Sequence, residues 1–517
     1  MAEMRQELSV TNRILRGISS GFVLTAVSTL VAVIQFRLIL EYLHSDVAGI
    51  WFLFITIGAY IAFLDMGISP TIGREISFVF GFKQLDEQHK QAEVASLIAT
   101  CARLFDLLSA MAFMLALMVG GWFFWCVTPV GSQSNIEIAW CIFALGGSLN
   151  LLGGPTFAAL YGLGDIATER LIRSLTLLVG LAIMVFFLYL GFGIVGLAII
   201  WSVQGLAAML IARRILHARY PYLHGSKGVI SMSMARKIAL PSLKWAAMGF
   251  GAILILQTDN VVIAAVIGTP AIPSYVAAAK IVTVLMTLSL MIVSSSSPFL
   301  SKSYAAADMD TFKILLLRNV RYGMGLLVIL SAFIATFGDK IINLWLGQGH
   351  FAGFPVLWTL LIMTLLEVHH VTLATGTMAT GKIAFAWAAL IAGGLNIIIS
   401  VVLAQRLGLW GVALGTMIAQ MLTNNWYAPY VTLTLFNISF WRYFSTIVVP
   451  ILVLIAVSIV INVVLRYFTA RYGDMVSLLI SWCCTIPSTA LASLVLLTTS
   501  SERQTMLRMI HNMRKTV

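Results

Sequence analysis

The chain has 517 residues, of which 60% are hydrophobic and only 10% charged, with a mean hydropathy of +0.97. Soluble domains are roughly 25% charged, so a string of water-soluble domains joined by polar linkers is excluded. The net charge of +12 does not point to nucleic acid, because Lys and Arg accumulate in the cytoplasmic loops of any membrane protein.

Only helices and closed barrels satisfy their backbone hydrogen bonds in lipid, and the apolar runs here lack the period-2 alternation of a barrel. The sequence therefore predicts an all-α, polytopic membrane helical bundle. Runs of about 20 apolar residues fall at 18–41, 47–69, 94–125, 136–161, 171–190, 193–212, 240–267, 273–298, 316–338, 354–379, 383–405, 409–430, 444–466 and 475–498, about fourteen spans. The first run is too long for a signal-peptide core and lacks a small-residue cleavage site, so no cleavable leader is expected.

Loop charge sets the direction. One set of connections carries Arg74, Lys83, Lys90, Arg170, Arg173, Arg213, Arg214, Lys227, Lys302, Lys382 and Arg442, with Arg508, Arg514 and Lys515 in the tail. The alternate set holds little beyond Lys340, Arg406, Arg466 and Arg471. This bias predicts that both termini are cytoplasmic in an inner (plasma) membrane. The segments 3–16 and 501–515 mix apolar residues with Arg and are expected in the membrane interface. The five cysteines (101, 126, 141, 483 and 484) show no metal-ligand spacing and read as free thiols, a Cys126–Cys141 disulfide being the less favoured reading.

The halves resemble each other in order. Ser69-Pro70 with Arg74 matches Ser297-Pro298 with Lys302, and Gly164-Asp165-Ile166-Ala167 matches Gly381-Lys382-Ile383-Ala384. Leu190-Gly191-Phe192-Gly193 matches Leu407-Gly408-Leu409-Trp410-Gly411, and Gln204 matches Gln420. Offsets of about 215 to 228 residues indicate a duplication. The expected plan is a six-helix lobe at 1–217, a basic connector at 218–239, a second six-helix lobe at 240–437, and two added helices with a tail at 438–517. Six spans per repeat gives parallel repeats, and transporters of that plan handle substrate where their lobes meet.

Residues 36–75 read FRLILEYLHSDVAGIWFLFITIGAYIAFLDMGISPTIGRE. This resembles the opening hairpin of the Wzx-type O-antigen and polysaccharide flippases of the multidrug/oligosaccharidyl-lipid/polysaccharide (MOP) superfamily. Gln257-Thr258-Asp259-Asn260 with Pro273-Ser274-Tyr275, and Asn396 with Gly408-Leu409-Trp410-Gly411, are similar to later helices of that family. The resemblance covers residues 10–435 and implies two MATE-like lobes that carry undecaprenyl-diphosphate-linked repeat units, with no cofactor and no catalysis. It implies as partners the lipid-linked oligosaccharide, membrane lipid, H⁺ or Na⁺ as a coupling ion, and polysaccharide-assembly proteins. Many members have twelve helices, so the added pair keeps lipid II flippases in contention, although their Asn-Leu-Leu-Arg-like opening hairpin is not found here. A drug/cation antiporter of the MATE type is the nearer alternative, but the first span offers Arg37 where those proteins place an Asp.

Ionisable residues inside spans are costly and mark candidate sites. Arg37 either meets an anionic substrate, snorkels outward, or pairs with Glu41 one turn on. Lys280 and Asp259 lie on the order of 10–13 Å deep at 1.5 Å per residue, either as a mutual pair or with Lys280 meeting diphosphate and Asp259 balancing it. Arg74 and Lys302 are inside anchors or cations flanking the inner mouth. Arg103 and Asp106 share a helix face as a pair. Asp106 and Glu367, the latter followed by His369 and His370, are candidates for coupling; adjacent histidines do not share a face, so no metal site is read there. Asp65 reads as a cap or brace. Gly376 to Lys382 imitates a phosphate-binding loop, but Ile383 follows instead of Ser or Thr and no strand precedes it, so ATPase chemistry is not expected. A membrane glycosyltransferase or polymerase needs an acid-base pair in a polar loop, and the short outer connections gather none.

Overall fold

Helix is the only backbone form in which each apolar run closes its own hydrogen bonds, and every regular element described is helical. A computed structural model describes residues 2–65, 67–81, 86–127, 133–223, 232–382, 384–499 and 502–504. Lys83, Lys227, Arg508, Arg514 and Lys515 lie outside them. The chain gathers into two compact units, Met1–Pro273 and Ser274–Val517.

The first unit comprises α1 (Ala2–Tyr42), α2 (Ser45–Phe63), α3 (Ile68–Gly81), α4 (Glu87–Leu115), α5 (Gly121–Val127), α6 (Gln133–Leu152), α7 (Gly154–Gly162), α8 (Ile166–Tyr189), α9 (Gly193–Arg219), α10 (Met232–Leu256) and α11 (Thr258–Val266). The second comprises α12 (Ile272–Ala305), α13 (Met309–Leu346), α14 (Phe354–Met378), α15 (Ala386–Leu407), α16 (Leu409–Leu422), α17 (Asn424–Leu435), α18 (Phe440–Tyr443), α19 (Val449–Thr469) and α20 (Asp474–Leu497). Although the repeat pattern puts α10 and α11 in the second half of the sequence, they pack on α2 and α3 in the first unit.

Among the described residues twelve helical segments are long and apolar enough to cross a membrane, and a thirteenth is the pair Ala246–Leu256 and Thr258–Val266, bent by 40°. The chain is a multi-pass membrane protein. This agrees with the expected count of about fourteen, and the run at 409–430 is the one divided into two shorter helices. There α16 and α17 are separated by Thr423, whose backbone leaves the helical region (φ −127°, ψ −84°). The Thr423 N–H donates to the Gln420 carbonyl three residues back, while its hydroxyl donates to Ala419 O at 2.7 Å. The backbone bond thus shortens from i→i−4 to i→i−3 at the break.

A second break lies between α2 and α3. Gly67 takes φ +71°, open to glycine at no steric cost. Asp65 caps the new helix: its Oδ1 accepts from Ser69 N–H (3.1 Å) and from the Ser69 hydroxyl (2.8 Å). This is the capping role read from the sequence.

Packing in the first unit centres on aromatic rings. Phe54 meets Trp140 at 5.1 Å, Phe143 stacks on Trp201 at 4.2 Å, and Trp140 Nε1–H donates to Ala116 O at 3.0 Å. Ala116 opens a π-helical turn, Ala116–Gly120, and such turns leave carbonyls available to side chains. Outward faces carry apolar residues such as Leu171, Leu175, Leu178 and Phe186 on α8.

The added pair α19–α20 is built the other way round from a soluble hairpin. Its exposed face carries Met475, Leu479, Trp482, Leu491 and Val495, while Ser477, Ser481, Thr485 and Thr489 are buried at every fourth position. Lipid supplies no hydrophobic drive between helices, so small polar side chains and close approach do the joining. Thr485 donates to Asn462 Oδ1 (2.8 Å), and the Ser477 hydroxyl to Thr469 Oγ1 (2.9 Å). The pair is pinned to α13 by Arg466–Asp339 (2.8 Å) and Lys340–Asp474 (2.9 Å). Two of the four cations expected on the outer side are thus neutralised in pairs. Cys126 and Cys141 are free thiols.

Candidate functional site

The in-span charges sort by what surrounds them. Arg37 is exposed on α1, beside buried Phe36, which stacks on Phe52 at 4.7 Å. The alternative pairing with Glu41 is not formed among the described residues. Arg74 on α3 is ion-paired with Glu75 (3.5 Å), lies over Phe78 (5.8 Å), and lines with Asp65 a cleft of about 570 Å³. Asp259 is buried in the first turn of α11, between Thr258, hydrogen-bonded to Tyr60 (3.1 Å), and Asn260, which donates to Thr56 (2.9 Å). Arg103 and Asp106 pair at 3.6 Å on one face of α4, both exposed.

In the second unit Lys280 is half-buried on α12, shortly after buried Ala277 and Ala278, and among the described residues of that unit its ammonium has neither an ion pair nor a hydrogen bond. Lys302 is exposed in the last turn of the same helix. Glu367 is half-buried on α14. His369 Nε2 hydrogen-bonds to Tyr443 Oη at 2.5 Å, while His370 Nδ1–H donates to the Asn424 carbonyl at 3.1 Å. The histidines therefore serve two different neighbours, the second of them at the α16–α17 break.

Charge alone does not find two polar clusters. One is in the second unit, where Asn396 Oδ1 accepts from Ser400 (2.9 Å) and Thr416 (2.8 Å), and where both amide atoms of buried Gln420 lack a partner. The other surrounds a cavity of about 420 Å³ in the first unit, lined from α1, α2, α3, α4, α6, α7, α8 and α9. Asp65, Asn150, Arg173 and Gln204 face it beside Phe157 and Trp201. Arg173 is held by an ion pair with Glu169 and lies 4.2 Å over the Phe157 ring. Asn150 and Gln204 escape a search for ionisable groups, since amides carry no charge. The available signal was the recurrence of Gln204 as Gln420, together with Gly205, against whose bare backbone the Asn150 amide lies.

Neither a protein family nor a curated protein is matched by the sequence. Among solved structures the fold is similar to the lipid II flippase MurJ in an inward closed conformation, with TM-score 0.68 and 14% identity over 93% of this chain and 98% of that one. It is also similar to an inward-facing multidrug resistance MATE family transporter of the MOP superfamily, with TM-score 0.63 and 15% identity over 82% and 95%. The Vibrio cholerae MATE transporter VcmN gives TM-score 0.55 and 14% identity over 84% and 100%. At these identities the likeness establishes the fold: that of MOP superfamily transporters and flippases.

Proposed function

We propose that the chain flips undecaprenyl-diphosphate-linked oligosaccharide repeat units, of the O-antigen type, from the cytoplasmic to the outer leaflet of the inner membrane by alternating access, with both termini cytoplasmic. The observation that carries this reading is Lys280, a half-buried cation on an apolar helix with no ion pair among the described residues of its own unit. An unpaired ammonium inside a span is costly unless an anion visits it, and a diphosphate is such an anion. Arg37, Arg74 and Lys302 are the further cations of the substrate path, and Asp259 balances charge when the substrate is absent. Arg103–Asp106 and Glu367 are the candidates for H⁺ or Na⁺ coupling. A diphosphate diester moving outward gains about 2.3 kcal/mol per charge per 100 mV of inside-negative potential, or about 4–5 kcal/mol for two charges, without a coupled ion.

The test is flipping of a fluorescent diphosphate-linked glycan lipid in vesicles holding the purified protein. Lys280→Ala lowers the rate roughly thirtyfold, the low end for truncating one partner of a buried charged contact, and Lys280→Arg retains more. A loss that merely tracks lower protein abundance makes Lys280 structural. Transport that responds to potential and ignores a pH gradient removes Asp106 and Glu367 from proton coupling. The second reading, a lipid II flippase, is favoured by the match over 93% of the chain to that flippase against 82–84% for the MATE transporters. Competition between lipid II and a repeat-unit lipid in the same vesicles separates the two.

A further inference from the structure

The cavity inside the first unit mixes hydrogen-bond donors, acceptors and aromatic rings on its wall. On one lining it presents an acceptor (Asp65), a donor fork (Arg173) and two amides (Asn150, Gln204), beside the rings of Phe157 and Trp201. Asp65 spends Oδ1 on Ser69, and its second oxygen remains an acceptor. The side chains of Asn150 and Gln204 make no hydrogen bond among the described residues, so each amide has a donor and an acceptor uncommitted. Both are nonetheless held in place. A Cβ built on Gly205 would run into the Asn150 amide, and one built on Gly180 would run into that of Gln204, so each amide rests against bare glycine backbone. Trp201 is fixed by its stack on Phe143.

A ligand that fits must donate and accept hydrogen bonds around its rim and offer an apolar face to a ring. Sugar rings do both. A bare cation does not suit the site, because the Arg173 guanidinium shares the wall and oxygen cages for cations are far smaller. A volume of about 420 Å³ lies within the range of small-molecule sites, about 300–1,000 Å³. We infer that this cavity is a sugar subsite, binding one or more rings of the glycan through Asn150, Gln204, Asp65 and Arg173. The inference deepens the flippase reading and rests on it for the origin of the sugar.

The experiment uses the full chain purified in detergent and titrated with methyl glycosides of hexoses, N-acetylhexosamines and 6-deoxyhexoses, read by tryptophan fluorescence. At least one class binds saturably. The double variant Asn150→Leu, Gln204→Leu weakens it roughly thirtyfold, the loss expected from two amide hydrogen bonds, with an unchanged elution profile. Leu24→Trp, which keeps every polar group and fills the cavity from α1, abolishes binding. Saturable binding of no glycoside, or equal binding by the double variant and the parent, overturns the inference. So does a signal that NaCl alone produces and the double variant loses. The flippase reading is tested separately in vesicles. If the parent moves the diphosphate-linked glycan and the double variant moves it equally well, the subsite fails and the reading stands. If glycosides bind in the cavity but no lipid-linked glycan moves, the subsite stands and the reading fails.

Discussion

Gln204 and Gln420 hold matching positions in the two halves of the sequence, and their fates differ. Gln204 sits on the unbroken α9, leans on Gly180 and looks into an open cavity. Gln420 sits three residues before a helix break, buried, with both amide atoms unpartnered. The same contrast runs through the neighbouring asparagines: Asn150 faces space, whereas Asn396 is fully buried and committed to Ser400 and Thr416. A duplicated helix can thus keep its polar residues while the packing around them changes their use. In the first unit they are surface for a ligand. In the second they are part of the packing.

Substitutions sharpen this contrast. The largest stability effect falls on the committed amide: Asn396→Leu destabilises by about 1–3 kcal/mol, since it removes the acceptor of two buried hydroxyls, and thermal unfolding in detergent shows the drop. Gln420→Leu works in the opposite direction. Replacing a buried amide without partners is neutral or stabilises by about 1 kcal/mol, and a fall in Tm would mean that the amide has a partner in the membrane. Thr485→Val, which removes one interhelical hydrogen bond in the added pair, costs about 0.6 kcal/mol. The smallest change belongs to the first unit. Gln204→Leu changes stability by no more than about 0.5 kcal/mol, since its amide has no partner to lose, while glycan transport falls. Equal thermal losses at Gln204 and Asn396 would erase the distinction between the units.

Hydropathy made most of the spans legible, because twenty apolar residues in lipid have one backbone solution. The breaks were not legible from it. At Thr423 and at Gln257 the backbone turns within an apolar run, and averaging over a window hides a single residue whose φ departs from that of the helix. Of the candidate site, spacing alone foretold the Arg103–Asp106 pair, and the Leu-Asp-Met-Gly sequence foretold the Asp65 cap. Lys280 and Glu367 stood out as charges within spans. Asn150 did not, because an uncharged amide in an apolar run looks like any tolerated polar residue until the facing glycine is known. Gln204 was seen only as one mark of the duplication.

The pairing of α13 with α19–α20 carries a consequence for the order of synthesis. Asp339 and Arg466 are 127 residues apart, so at roughly 5–20 residues per second the first waits about 6–25 s on the ribosome's clock for the second. During that interval α13 is already made, while Phe333 and Phe337 lack Leu478, their later partner. The hairpin is therefore a late-arriving closure, and a chain ended before Val449 leaves that face of α13 open to whatever insertion or quality-control machinery reads unfinished helices.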